Sequence, residues 1–363
     1  MKIGIVGLPL SGKTTLFNAL TGAQVDTAAF IGGKTEAHQA IVHVPDERVD
    51  LLADIFQPKK KTPATIEFVD LAGMSTSEQK KSSFTDQFLG QIRTVDAILV
   101  TLRAFENENI PHPLNSVDPL RDLEMVDAEF ILSDLAIIEN RMDKLQRQLR
   151  AKKADQDVRE YAILEKCKEN LENEIPLRYF DFSAEDEILI RGYQFLTQKP
   201  IIIVVNIDEN DIKNEADVLG NFSERAQQKN TSVLAISAEI EMEIQQLSDD
   251  EAELFRSDLG ITHSAMDRLI RTSYELLGLL SFFTVGSDEV RAWTIRENTR
   301  APQAAGAVHT DIERGFIRAE VVHYDDFIPR KSLTQCKSDG VLRLEGKEYI
   351  VKDGDIINFR FAI

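Results

Sequence analysis

Hydrophobic and polar positions alternate along this chain with two different periods. Short β-branched runs recur at Lys2–Val6, Ala40–Val44, Thr65–Val69 and Ala97–Leu102, separated by helix-like stretches. The pattern resumes at Pro200–Asn206 and Thr231–Ser237. Strands alternating with helices predict a mainly parallel sheet with helices on both faces. Between the two blocks the period changes. Ala128, Ile131, Leu135, Ile138, Met142, Leu145 and Leu149 are spaced by threes and fours, as along a heptad seam. A polar stretch at Ala151–Asp157 interrupts them, and Val158, Tyr161, Leu164, Leu171 and Ile175 continue the apolar face. This predicts an antiparallel helical hairpin over residues 118–177, inserted into an α/β domain of residues 1–117 and 178–280. Residues 281–363 read as a small separate α+β domain. In it, the Asp353-Gly354 turn separates the strand-like runs Glu348–Val351 and Ile356–Phe361.

Composition narrows the class. With 363 residues, 43% apolar and 28% charged, the chain has the make-up of an ordinary multidomain globular protein. No apolar run reaches the roughly 18 residues that span a bilayer. The opening MKIGIVGLPLSGKTT is too interrupted for a signal peptide, so a cytoplasmic protein without membrane partners is expected. Cys167 and Cys336 are too few and too distant for a disulfide framework or zinc cluster. A net charge of -19 argues against broad coating of nucleic acid but leaves room for a local basic patch. One such patch is the hairpin tip, with Arg147, Arg150, Lys152 and Lys153. It reads either as a solvated coiled-coil end or as an arm that touches RNA or a ribosome.

The chemistry is concentrated after the first strand. Gly7-Leu-Pro-Leu10-Ser11-Gly12-Lys13-Thr14 has the form G-x-x-x-x-G-K-[ST] and opens a predicted helix at Thr14–Leu20. Its glycines let successive backbone N–H groups face a β-phosphate. Lys13 is placed to reach the β- and γ-phosphates and Thr14 to ligate Mg²⁺, with Thr15 beside them. One strand downstream, Asp70-Leu-Ala-Gly73 supplies a second magnesium-linked group, the Asp70 carboxylate, and a γ-phosphate-sensing N–H at Gly73. Met74 stands where Ras-like enzymes carry a water-orienting Gln, and a thioether cannot do that work. After a later strand, Asn206-Ile-Asp-Glu209 departs from the guanine-reading N-K-x-D. Glu209 is one methylene longer than the Asp that accepts from guanine N1–H, and Ile207 replaces the Lys that would cover the base. This weakens selectivity for GTP and admits ATP. Ser237-Ala238-Glu239 follows the next strand, where such enzymes line the base.

Taken together these stretches resemble the YchF family of Obg-like ATPases, over nearly the whole chain. The resemblance rests on Gly4–Pro9, Pro63–Gly73, Phe105–Ile110, the inserted hairpin, Asn206–Glu209 and Glu289–Thr294. It continues through Ala301–Gly306, His309–Asp311, Arg314–Ala319 and Asp353–Asp355. It implies a P-loop NTPase with a Ras-like G domain and a C-terminal TGS domain of the β-grasp type. It also implies Mg²⁺-dependent hydrolysis of ATP in preference to GTP, a ribosome or RNA partner reached through the hairpin and TGS domain, a link to translation or stress, and a monomer. In the family a histidine of a mobile loop is a suspected water-positioning group, which corresponds to His112. Three positions depart from the family pattern. Leu10 replaces an Asn through which related enzymes bind a stimulating K⁺. The segment Met74–Phe84 is shorter than the family's glycine-rich stretch. The switch I threonine aligns to Lys34 or Thr35, of which only Thr35 can ligate Mg²⁺. Two functions stay open: an ATPase whose hydrolysis resets a ribosome-linked conformation, and a nucleotide-gated binding module with negligible turnover.

Overall fold

The computed structural model describes residues 1–22, 38–71, 84–151, 154–261 and 264–362. Thr35, Gly73, Met74, Lys152 and Lys153 therefore lie outside the described residues. The chain forms two compact units, one of residues 1–40 with 67–266 and the other of residues 41–66 with 267–363.

The first unit is built on a six-stranded sheet. With strands numbered along the chain, its order is β2 (His38–His43), β4 (Thr65–Asp70), β1 (Lys2–Val6), β5 (Ala97–Arg103), β6 (Ile201–Asn206) and β7 (Thr231–Ile236). β1 runs parallel to β4 and β5, β5 to β6, and β6 to β7. Every residue of β5 and β6 is buried, which is why these strands read as unbroken apolar runs rather than alternating ones. Val6, Val100, Leu102, Ile203, Val205 and Ile207 share one core cluster. Because all these strands point the same way, the turns after β1, β4, β5 and β6 gather at one end of the sheet, where α/β proteins bind ligands.

The helical insertion forms as the spacing predicts. Helix Pro119–Ala151 runs for 33 residues and helix Asp155–Glu172 for 18. Ile131, Ile138 and Leu145 of the first pack with Ile163, Leu164, Cys167 and Leu171 of the second. Leu135 and Met142 are partly buried beside them. Ala128, Val158 and Ile175, expected on the apolar seam, are exposed. Near the base Phe130 and Val126 instead turn into the core of the sheet domain. Polar anchors fix the hairpin: Asp134, fully buried, accepts from Arg93 Nη1 at 2.8 Å and from Thr197 N at 2.8 Å. Both cysteines are free and buried, and burial pushes the Cys167 thiol up to about 12.

The second unit is larger than the expected 281–363. Its sheet has the order β11 (Arg343–Glu345), β10 (Phe316–His323), β12 (Asp355–Phe361), β8 (Leu279–Thr284), β9 (Glu289–Arg296) and β3 (Lys60–Thr62). The sheet is mixed, with β12 parallel to β8 and β8 antiparallel to β9. Helix Ala301–Val308 lays Ala301, Ala304 and Ala305 against Phe282, Val321 and Ile357, giving the β-grasp arrangement. The contribution of β3 was hidden because Lys60-Lys-Thr62 is wholly polar. Polar side chains suit an edge strand, where they discourage pairing with other chains. The expected strand Glu348–Val351 does not form. That segment makes only an isolated bridge between Ile350 and Arg300, and the pairing falls to Arg343–Glu345 instead.

Candidate functional site

The turn after β1 is shaped by three left-handed or extended positions. Leu10 has φ 63° and Gly12 φ 92°, and a side chain at Gly7 would meet the Thr101 carbonyl oxygen at 2.4 Å. Helix α1 (Lys13–Thr21) starts directly after Gly12 with no side-chain cap. Among the described residues no side chain caps its first backbone N–H groups, and the helix dipole favours an anion there.

Two small clusters of polar groups stand on this loop. In the first, Lys13 Nζ donates to the carbonyls of Gly7 at 3.1 Å and Leu8 at 2.8 Å. Burial lowers the Lys13 ammonium to about 8, opposed by the nearby Asp70 carboxylate. Thr14 Oγ1 donates to Asp70 Oδ2 at 3.2 Å. Asp70 is fully buried, and its Oδ1 has no hydrogen-bond partner among the described residues. Burial raises its carboxyl pKa, while Lys13 and then Thr14 pull it down. A buried carboxylate oxygen without a donor, next to a hydroxyl, is a donor set for a hard oxygen-seeking cation such as Mg²⁺.

The second cluster joins the loop to the ends of β6 and β7. Asn206 Nδ2 donates to the Ser11 carbonyl at 3.1 Å, and its Oδ1 accepts from Ala238 N at 3.0 Å. One buried amide thus ties together three of the segments expected to surround a nucleotide. Ser237 is buried at the head of the helix Ala238–Ile244. Ser11 Oγ is buried without a hydrogen-bond partner among the described residues, and Thr15 is half-buried on α1.

Glu209 is exposed, at the start of a short 3₁₀ turn whose cap is Asp208. Ile207, which stands where the guanine-reading pattern has its Lys, is buried in the sheet core. β6 itself ends at Asn206, and Ile207 directly after it turns its apolar side chain inward. His112 is not joined to the loop cluster. It is buried, and its ring faces the helix Pro119–Ala151, where Nε2 lies 2.9 Å from Asp122 Oδ2 and Nδ1 accepts from Leu114 N at 3.1 Å. Asp122 did not stand out in the sequence, because nothing in its spacing links it to His112. Arg147 and Arg150, on the other hand, are exposed at the hairpin tip as expected. No helix among the described residues is long and apolar enough to cross a membrane.

The geometry agrees with what the chain is similar to. Residues 2–207 match the family described as 50S ribosome-binding GTPase, and residues 279–362 match the YchF GTPase C-terminal family. The ribosome-binding ATPase YchF of Bacillus subtilis is 43% identical over 369 residues, covering 100% of each chain. That of Escherichia coli O157:H7 is 43% identical over 363 residues, covering 100% of this chain and 99% of the relative. The solved structure of the Schizosaccharomyces pombe YchF GTPase superposes with a TM-score of 0.87 at 33% identity, covering 99% of this chain and 97% of that one.

Proposed function

The chain belongs to the YchF family, and from that premise we propose that it is a magnesium-dependent ATPase whose nucleotide state governs binding to the ribosome. The observation that carries the reading is the cluster of Lys13, Thr14 and Asp70, with a buried carboxylate oxygen that has no donor among the described residues. The names of the relatives, which are ribosome-binding ATPases, support the partner and the reaction.

In this reading a triphosphate enters against the N-terminus of α1. Lys13 leaves the carbonyls of Gly7 and Leu8 and pairs with the β- and γ-phosphate oxygens. Thr14 and Asp70 would hold Mg²⁺, with Thr35 as a further ligand from switch I, and the ion would neutralise charge on the transferring group. The Gly73 N–H senses the γ-phosphate. Asn206, Ser237 and Ala238 frame the base, and Glu209 biases the choice toward ATP over GTP. His112 orients the attacking water and accepts its proton, in place of the Gln missing at Met74. The exposed arginines of the hairpin tip and the second unit supply the ribosomal contact. The protein works as a monomer in the cytoplasm.

A second reading is favoured by one observation: His112 has both ring nitrogens engaged away from the loop cluster. In that reading ATP orders the protein for ribosome binding and is hydrolysed negligibly. Co-sedimentation with 70S ribosomes in Mg-ATP, ADP and a non-hydrolysable analogue, alongside hydrolysis by the same sample, tests both. Nucleotide-dependent binding with turnover supports the ATPase switch. Nucleotide-dependent binding without turnover supports the gated module, and binding indifferent to nucleotide contradicts both.

A further inference from the structure

The loop after β5 is fastened at two points. Arg103, buried at the end of β5, donates from Nε to the Phe105 carbonyl at 3.0 Å and from Nη2 to the Ile110 carbonyl at 2.7 Å. Its guanidinium lies over the Phe105 ring, 4.7 Å from the centroid. Two residues beyond Ile110, His112 is only 7% exposed. The second fastening is Asp122, which is 1% exposed in the first turn of the helix Pro119–Ala151.

The hydrogen bonds define the state of the ring. A backbone N–H can only donate, so His112 Nδ1, 3.1 Å from Leu114 N, must offer its lone pair. The ring proton is then on Nε2, donated to Asp122 Oδ2 at 2.9 Å. The imidazole is neutral and has no free lone pair or N–H. Asp122 is itself held in place. Its Oδ1 accepts from Arg121 Nε at 3.1 Å and Nη2 at 2.8 Å. Arg121 in turn donates to Ser116, at 2.7 Å to Oγ and 2.9 Å to the carbonyl.

A ring held this way can neither orient nor deprotonate water. If His112 acts on the attacking water, its ring must first leave Asp122, and only the fraction of molecules in the released state can react. We propose that Asp122 is a positioning residue that holds His112 withdrawn and so sets the rate of hydrolysis. This rests on the assignment of His112 to the attacking water. The same helix that carries Asp122 in its first turn carries Arg147 and Arg150 in its last turns. A partner that shifts this helix therefore has a direct mechanical route to the histidine.

The test uses the full chain and its Asp122→Ala and Asp122→Asn variants, with three readings on each. These are single-turnover hydrolysis of Mg-ATP, ATP affinity, and hydrogen exchange at the Leu114 amide, whose acceptor is the His112 ring. In Asp122→Ala the Leu114 amide should exchange faster and hydrolysis should accelerate about tenfold, the order expected for one lost hydrogen bond to a charged group. ATP affinity should stay unchanged. Asp122→Asn, whose amide oxygen can still accept from Nε2, should fall between wild type and Ala, and it serves as the near-isosteric check on folding. The gain should vanish in a His112→Ala background. Faster Leu114 exchange with hydrolysis at or below the wild-type rate, while His112→Ala is slow, would overturn the proposal and make Asp122 a support of the active pose. Wild-type hydrolysis by His112→Ala itself would instead remove the assignment of His112, and the proposal with it.

Discussion

Asn206 and Gly12 approach so closely that a methyl group at Gly12 would lie 2.1 Å from the Asn206 amide nitrogen. The amide cannot simply swing away, because it bridges the Ser11 carbonyl and the Ala238 N–H inside the protein. The loop after β1 and the start of the helix Ala238–Ile244 are therefore tied together by a single side chain 194 residues later in sequence than Gly12.

Gly12→Ala should accordingly lose ATP affinity by about 10²-fold or more. It strains a backbone at φ 92° and displaces a buried amide, leaving its partners unsatisfied. Asn206→Ala should cost about tenfold alone and little more in the Gly12→Ala background, since both break the same bridge. Titration with a fluorescent ATP analogue measures all three. Full additivity would show that the two residues act separately.

Base choice should be adjustable at Glu209 and not at Ile207. ATP should bind wild-type protein at least as tightly as GTP. Glu209→Asp should move the ratio toward GTP by roughly tenfold, the order of one hydrogen bond to a charged group. Ile207→Lys, suggested by the guanine-reading pattern, should instead destabilise the protein by ~3 kcal/mol or more, because it buries an ammonium in the sheet core. Nucleotide titrations and thermal melts separate the two effects. A strong wild-type preference for GTP would contradict the role given to Glu209.

Much of this site was legible in the sequence because it is local. Gly7–Thr14 sits between a strand and a helix, and that context needs no tertiary information. The inner strands β1, β5 and β6 of the first sheet were equally plain, since a buried parallel strand is an apolar run. What escaped was set by neighbours distant in the chain. Lys60–Thr62 carries no apolar signal and becomes a strand only by pairing with Glu289–Arg291. Ile207 stands where the guanine-reading pattern has a Lys, and only the packing just after β6 places its side chain in the core. The partner of His112 lies ten residues away in a helix that spacing alone assigned to the hairpin.

Leu10 is the position where local rules and function diverge most. It is 52% exposed and holds a left-handed backbone at φ 63°, a conformation that Asn tolerates better. Leu10→Asn should therefore stabilise the protein by about 0.5–1 kcal/mol, seen as a rise in Tm of roughly 1–2 °C. It also restores the oxygen through which related enzymes bind potassium, so hydrolysis should become faster in KCl than in NaCl. Equal rates in the two salts would show that the potassium site needs more than this one residue.

The account depends above all on Lys13 being the cation of a working triphosphate site. Single-turnover hydrolysis of Mg-ATP by wild type and by Lys13→Ala, at enzyme in excess over nucleotide, measures this directly. Wild type should release phosphate, and Lys13→Ala should lose at least about 10²-fold in rate, as when a preorganised charge at a reacting oxygen is removed. Equal rates for the two proteins would contradict the assignment of the phosphate loop.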